Sequence, residues 1–102
     1  MARRYADRIT LDFFGDQLVC HLSPEKTESQ ATPYPRHFGV TFRERADFDR
    51  LLSRVDRQGL EFVERPFARF EGKPERHLAF FLADPSNNVL EFKYYFESEM
   101  MY

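Results

Sequence analysis

His21, His37 and Glu91 are the residues of this chain whose types suit divalent-cation chemistry. Two imidazoles and one carboxylate can hold Fe, Mn, Ni or Zn and leave positions open for water and a substrate. Each stands opposite the bulky apolar stripe of its own strand-like run. His21 opposes Leu18, Cys20 and Leu22, His37 opposes Phe38, Val40 and Phe42, and Glu91 opposes Leu90, Phe92, Tyr94 and Phe96. A carboxylate inside an aromatic strand is costly to bury unless it is paired, protonated or metal-bound. Plainer readings stand beside this one: Glu91 on a solvated face, or Glu91 paired with Lys93, Arg36 or another arginine. A single histidine at a strand start is commonly a surface or hydrogen-bonded group, and His77, beside Glu75 and Arg76 at a turn, reads that way. Cys20 is the only cysteine. A lone thiol excludes an intrachain disulfide framework and cysteine-rich zinc sites, so a metal would need nitrogen and oxygen ligands.

The elements that must position these residues follow from hydrophobic period. Arg8 to Gly15 and Gln17 to Ser23 alternate as two strands, with Gly15-Asp16 as the hairpin turn between them. Pro24 to Pro35 holds three prolines and no periodicity, and reads as a long linking loop. His37 to Phe42 alternates again. Phe48, Leu51, Leu52 and Val55 then fall on one helical stripe, with Asp47 expected as N-cap and Gly59 just past the end. Leu60 to Phe70, Leu78 to Ala83 and Asn88 to Phe96 read as strands, separated by Glu71-Gly72-Lys73-Pro74 and Asp84-Pro85-Ser86-Asn87. The order from His37 onward is strand, helix, strand, strand, strand, an α+β class with one main helix expected to pack on Phe38, Val40, Leu90 and Phe92.

With 102 residues the chain has room for one domain, and its twelve Phe supply core bulk. Fifteen Lys+Arg against seventeen Asp+Glu give a formal charge of −2, which offers no electrostatic case for nucleic acid. No apolar run approaches the roughly 20 residues of a membrane helix. The N-terminus lacks the apolar stretch and cleavage site of a signal peptide, so a cytoplasmic location is expected.

The stretch His37-Phe38-Gly39-Val40, the helix ending at Gly59, and Asp84-Pro85-Ser86-Asn87-Asn88-Val89-Leu90-Glu91-Phe92 together resemble the second module of the vicinal oxygen chelate superfamily. That superfamily includes glyoxalase I, extradiol dioxygenases and bleomycin-resistance proteins. Its closing motif runs Asp-Pro-x-Gly-Asn, an apolar pair and Glu; here Asn87 replaces the Gly, and Asn tolerates the left-handed conformation that Gly would supply. The resemblance implies paired βαβββ modules curving around a cavity, with His37 and Glu91 at second-module ligand positions and a mixed, curved sheet. It makes residues 1–23 a partial, helix-lacking first module, 24–36 a linker and 37–102 the second module. Asp16, in a turn, is not counted as a ligand, whereas His21 lies on a strand that supplies a further ligand in four-ligand members.

Three functions fit this resemblance. One is a metal-dependent enzyme of the glyoxalase or dioxygenase type, in which a divalent cation holds vicinal oxygens of a small molecule. Another is a non-catalytic, resistance-type module that sequesters a small planar ligand with Phe14, Phe81, Lys93 and Tyr95 in the same cavity. The third is an assembly role through a partner chain. Turnover stays open, since Tyr34, Tyr95 and Lys93 are general-base candidates only by proximity to the inferred face. Ile9, Leu11, Phe13, Leu18 and Leu22 lack a covering layer from their own unit, so a homodimer is expected.

Overall fold

The computed structural model describes residues 2–101. Strands β1 (Arg3–Arg4), β2 (Arg8–Phe13) and β3 (Asp16–His21) form an antiparallel sheet in the order β1-β2-β3. The short β1 carries no sequence pattern, because two exposed arginines show no period. It makes β2 the central strand, and Thr10 there is buried. The hairpin turn is Phe14-Gly15, one residue earlier than expected: their φ values are 56° and 89°, and Phe13 pairs with Asp16. Two consecutive left-handed residues give the twist that a two-residue hairpin requires. Asp12 secures the turn by accepting the Gly15 N–H at 3.0 Å.

The second sheet has β4 (Phe38–Phe42), β5 (Glu64–Arg69), β6 (His77–Ala83) and β7 (Val89–Tyr95) in the order β4-β7-β6-β5, with helix α1 (Arg45–Arg57) between β4 and β5 in sequence. Strand β4 runs parallel to β7, and the other pairs are antiparallel. The succession from β4 is therefore βαβββ. Helix α1 starts earlier than expected. Glu44 is its N-cap without a side-chain bond, and Asp47 instead lies in the first turn, paired to Arg50 at 2.9 Å. The carboxylate is still placed favourably at the positive end of the helix. At the other end Gly59, φ 66°, donates to Asp56 O at 3.2 Å, and Leu60 donates to Val55 O at 3.2 Å, the paired bonds of a Schellman cap.

Because Leu60 completes that cap and the Phe62 ring turns onto Phe80 at 5.8 Å, β5 begins only at Glu64, short of the run expected from Leu60. Its register with β6 shifts between Glu64 and Phe67, across Pro66, which has no N–H for the ladder. The helix stripe packs as its period requires. Phe48 and Val55 are fully buried with Phe42, Phe80 and Phe92, while Leu51, Leu52, Val40 and Leu90 are partly buried around them. Phe38 departs from this layer. It is 42% exposed and meets Phe13 at 6.1 Å instead.

The two sheets meet through Phe13 and Phe14. The Phe14 ring lies 5.4 Å from Phe42 and 6.1 Å from Phe92, both on the helix face of the second sheet. The loop between the sheets holds one 3-10 turn, Pro24–Lys26, beside which Ser23 donates to Glu25 at 2.8 Å. A backbone N–H at Glu25 and, after it, the Ser23 hydroxyl hold the Glu25 carboxyl below its ordinary range. At the far end of β7, Arg76 covers the Phe96 ring at 3.7 Å, and Ser98–Met101 form a further 3-10 turn. The molecule measures 48 × 29 × 28 Å with a radius of gyration of 15.0 Å, against about 13 Å for a compact chain of this length.

Candidate metal centre

Strand β7 lies between β4 and β6, so each of its residues has a neighbour on both sides. Glu91 pairs with Gly39 of β4 and with Phe81 of β6, and period two puts these three on the face away from α1. Gly39 is required by this pairing, since a Cβ there would collide with the Glu91 carbonyl group. With no side chain at 39, His37, just ahead of β4, reaches the carboxylate from the strand end.

His37 Nε2 lies 3.4 Å from Glu91 Oε1. Two ligands bound at about 2.1 Å to one ion stand roughly 3.0 to 3.4 Å apart, so the pair fits two positions of a divalent site. The imidazole is also oriented correctly. The Pro33 carbonyl accepts from Nδ1 at 2.7 Å, and since a carbonyl oxygen only accepts, Nδ1 carries the hydrogen and Nε2 is presented to Glu91. Phe81 and Tyr34 brace the ring edge-to-face at 5.4 and 5.6 Å. Lys93 Nζ shares the same carboxylate oxygen at 3.5 Å, and Glu91 itself is only 8% exposed. The Lys93 ammonium is therefore the charge that compensates this buried carboxylate, while the Nε2 lone pair and the carboxylate oxygen face the same point from two sides.

His21 does not join them. It is exposed on β3, opposite Arg8, and among the described residues no group of three or more His, Cys, Asp and Glu is arranged to hold a metal. The reason is how the hairpin docks: Phe13 and Phe14 seat it on Phe38, Phe42 and Phe92, on the opposite face from Glu91. Phe14 is displaced for the same reason, and lines a separate cavity of about 510 Å³ with Val40, Phe42 and Leu51. Phe81 and Lys93 do border the His37–Glu91 pair. Tyr95 lies one step farther along the same face, 4.5 Å from the His77 ring and 5.7 Å from Lys93 Nζ. His77 is more enclosed than its position at a turn suggests: it is buried, with Nδ1 donating to Glu75 O at 3.1 Å. Next to His37 a cavity of about 550 Å³ opens among Lys26, Tyr34, Arg36, Asn87 and Asn88. The Pro33 carbonyl and the Tyr34 ring were not legible as site components, because a main-chain acceptor has no residue signature and the loop has no period.

The model of the glyoxalase/bleomycin resistance protein/dioxygenase superfamily matches residues 2–92. The chain belongs to that superfamily. A crystal structure described as a glyoxalase/bleomycin resistance protein/dioxygenase from Alicyclobacillus acidocaldarius is 58% identical, with a TM-score of 0.94, over 99% of this chain and 76% of that one. Lactoylglutathione lyase from Agrobacterium tumefaciens shares the fold at 16% identity and a TM-score of 0.61, over 92% of this chain and 72% of that one. The fosfomycin resistance protein FosX from Listeria monocytogenes does so at 16% identity and 0.56, over 86% and 65%. None of the curated proteins compared matches the chain significantly in sequence. Divalent metals are typical of this superfamily, and its βαβββ unit corresponds here to β4-α1-β5-β6-β7.

Proposed function

We propose that this superfamily member binds a divalent cation through His37 and Glu91 and uses it to hold a small molecule by vicinal oxygens. The observation that carries the reading is the 3.4 Å approach of Nε2 to Oε1, with the ring orientation set by the Pro33 carbonyl. A bound Fe, Mn, Ni or Zn ion would supply Lewis-acid polarisation of those oxygens. The chain's own residues supply the rest. Phe81 and Tyr34 limit water around the imidazole, and Lys93 offers a positive charge to an anionic group on the ligand. Residues 1–23 then form part of a first module, 24–36 a linker and 37–102 the second module, in a protein that works as a homodimer.

A second reading is favoured by Lys93, which already compensates Glu91, and by the absence of a third ligand among the described residues. In it the same face sequesters a small planar ligand without turnover. Calorimetric titration of tag-free, metal-stripped protein with Mn²⁺ or Co²⁺ tests the first reading. Saturable binding that weakens at least tenfold in both His37→Ala and Glu91→Gln is expected; binding equal in wild type and both variants removes the cation from the proposal.

A further inference from the structure

The turn that leads into β7 holds itself together without the Asn87 side chain. Asp84 Oδ1 accepts the N–H groups of Ser86 at 2.9 Å and Asn88 at 2.8 Å, and Oδ2 accepts the Asn88 amide at 2.8 Å. Backbone bonds join Asn87 N to Asp84 O at 3.0 Å and Asp84 N to Asn88 O at 2.9 Å. Asn87 contributes its main chain and a φ of 66°, a conformation that Gly would adopt with less strain. Its side-chain amide is left over, and it reaches across 59 residues of sequence to donate to the Glu28 carbonyl at 2.8 Å.

That contact changes what the loop can do. Residues 28–36 contain no strand or helix and are largely exposed. Among the described residues, two hydrogen bonds tie them to the rest of the fold: Asn87 to Glu28, and His37 Nδ1 to the Pro33 carbonyl. A carbonyl orients an imidazole only as well as it is itself held. The ties hold the loop at Glu28 and at Pro33, with residues 29–32 between them, and the Pro33 and Pro35 rings restrict the backbone on the His37 side. The Asn87 amide thus joins the turn that starts the Glu91 strand to the loop that fixes the His37 ring.

We infer that Asn87 is a positioning residue for His37, acting through Glu28, the loop and the Pro33 carbonyl. Gly at 87 would keep the turn and lose this link. The consequence for cation affinity rests on the proposed ligand role of His37; the consequence for the imidazole does not.

The test uses Asn87→Gly and Asn87→Asp in the full chain. Gly keeps the left-handed conformation, and Asp keeps the size but has no hydrogen to donate to Glu28. In metal-free protein the readout is exchange of the His37 Nδ1 hydrogen, followed by nitrogen-15 NMR of the imidazole. The Ser86 and Asn88 amides report whether the turn is intact. The expected result is Nδ1–H exchange at least about fivefold faster in both variants with the turn amides unchanged, and Mn²⁺ affinity lowered several-fold by calorimetry. Should Asn87→Gly loosen the turn amides, Asn87→Asp decides. Unchanged Nδ1–H exchange overturns the positioning role, whatever happens to Mn²⁺. Faster exchange in a protein whose wild type binds no Mn²⁺ sustains the positioning role and removes the ligand reading instead.

Discussion

Glu91 Oε1 faces His37 Nε2 at 3.4 Å and Lys93 Nζ at 3.5 Å, so an ammonium already occupies one side of the proposed cation position. Two unit charges about 4 Å apart repel by about 4 kcal/mol at the dielectric of a protein surface, before the flexible lysine stem swings away. Lys93→Met keeps the stem and removes the charge, and it should tighten Mn²⁺ binding about threefold to tenfold in a calorimetric titration; weaker binding would mean that Lys93 supports the site rather than competes. Gly39 is the other exacting position, since its Cβ would meet backbone rather than a movable side chain. Gly39→Ala should therefore cost about 2 to 3 kcal/mol in urea melts, and a loss under 0.5 kcal/mol, roughly the scale of a neutral surface change, would contradict the pairing of Gly39 with Glu91. At this scale the sequence was partly legible. His37 and Glu91 stood out because alternation assigns a face and the Asp84–Phe92 motif assigns a place. Alternation assigns His21 a face as well, but not the side on which its sheet docks, and docking depends on two aromatic rings at the hairpin.

Helix α1 was readable because four apolar residues at 48, 51, 52 and 55 admit one period, and the same stripe forms the core. Phe48 is 1% exposed against Phe42 and Phe80. Phe48→Ala should lower stability by about 3 to 5 kcal/mol in a denaturant melt, the range for truncating a fully buried aromatic. Leu52→Ala should cost less than the full-burial range of about 2 to 5 kcal/mol, because Leu52 is only partly buried. Equal losses at the two positions would contradict the orientation of the helix. Element ends were less legible than element types. Asp47 has the chemistry of an N-cap, yet the chain begins its helix two residues before it and uses that carboxylate for Arg50. Phe14 at a left-handed turn position was equally unreadable: a bulky aromatic there is strained in isolation and is retained by the Phe13, Phe42 and Phe92 rings around it.

The whole molecule is longer than a compact chain of its size because the three-stranded sheet touches the other chiefly through Phe13 and Phe14. Leu22 is 71% exposed, and Val19 and Phe38 are also open. A second copy seated on this hairpin would cover apolar surface that a lone chain leaves wet. Sedimentation equilibrium at low micromolar concentration should give twice the 12.3 kDa chain mass, with an interface of roughly 2,000 Å² or more; a folded monomer would refute the dimer. The parallel alignment of β4 with β7 carries a kinetic consequence. These strands come from distant parts of the chain, with α1, β5 and β6 between them, and their closure brings His37 to Glu91. Pairing over such a separation must meet its loop entropy before it gains contacts. A half-folded chain with β5 and β6 joined therefore offers a cation no pair of ligands. A cation held by both side chains grips only the closed sheet, so its addition should retard unfolding and leave the folding rate where it was.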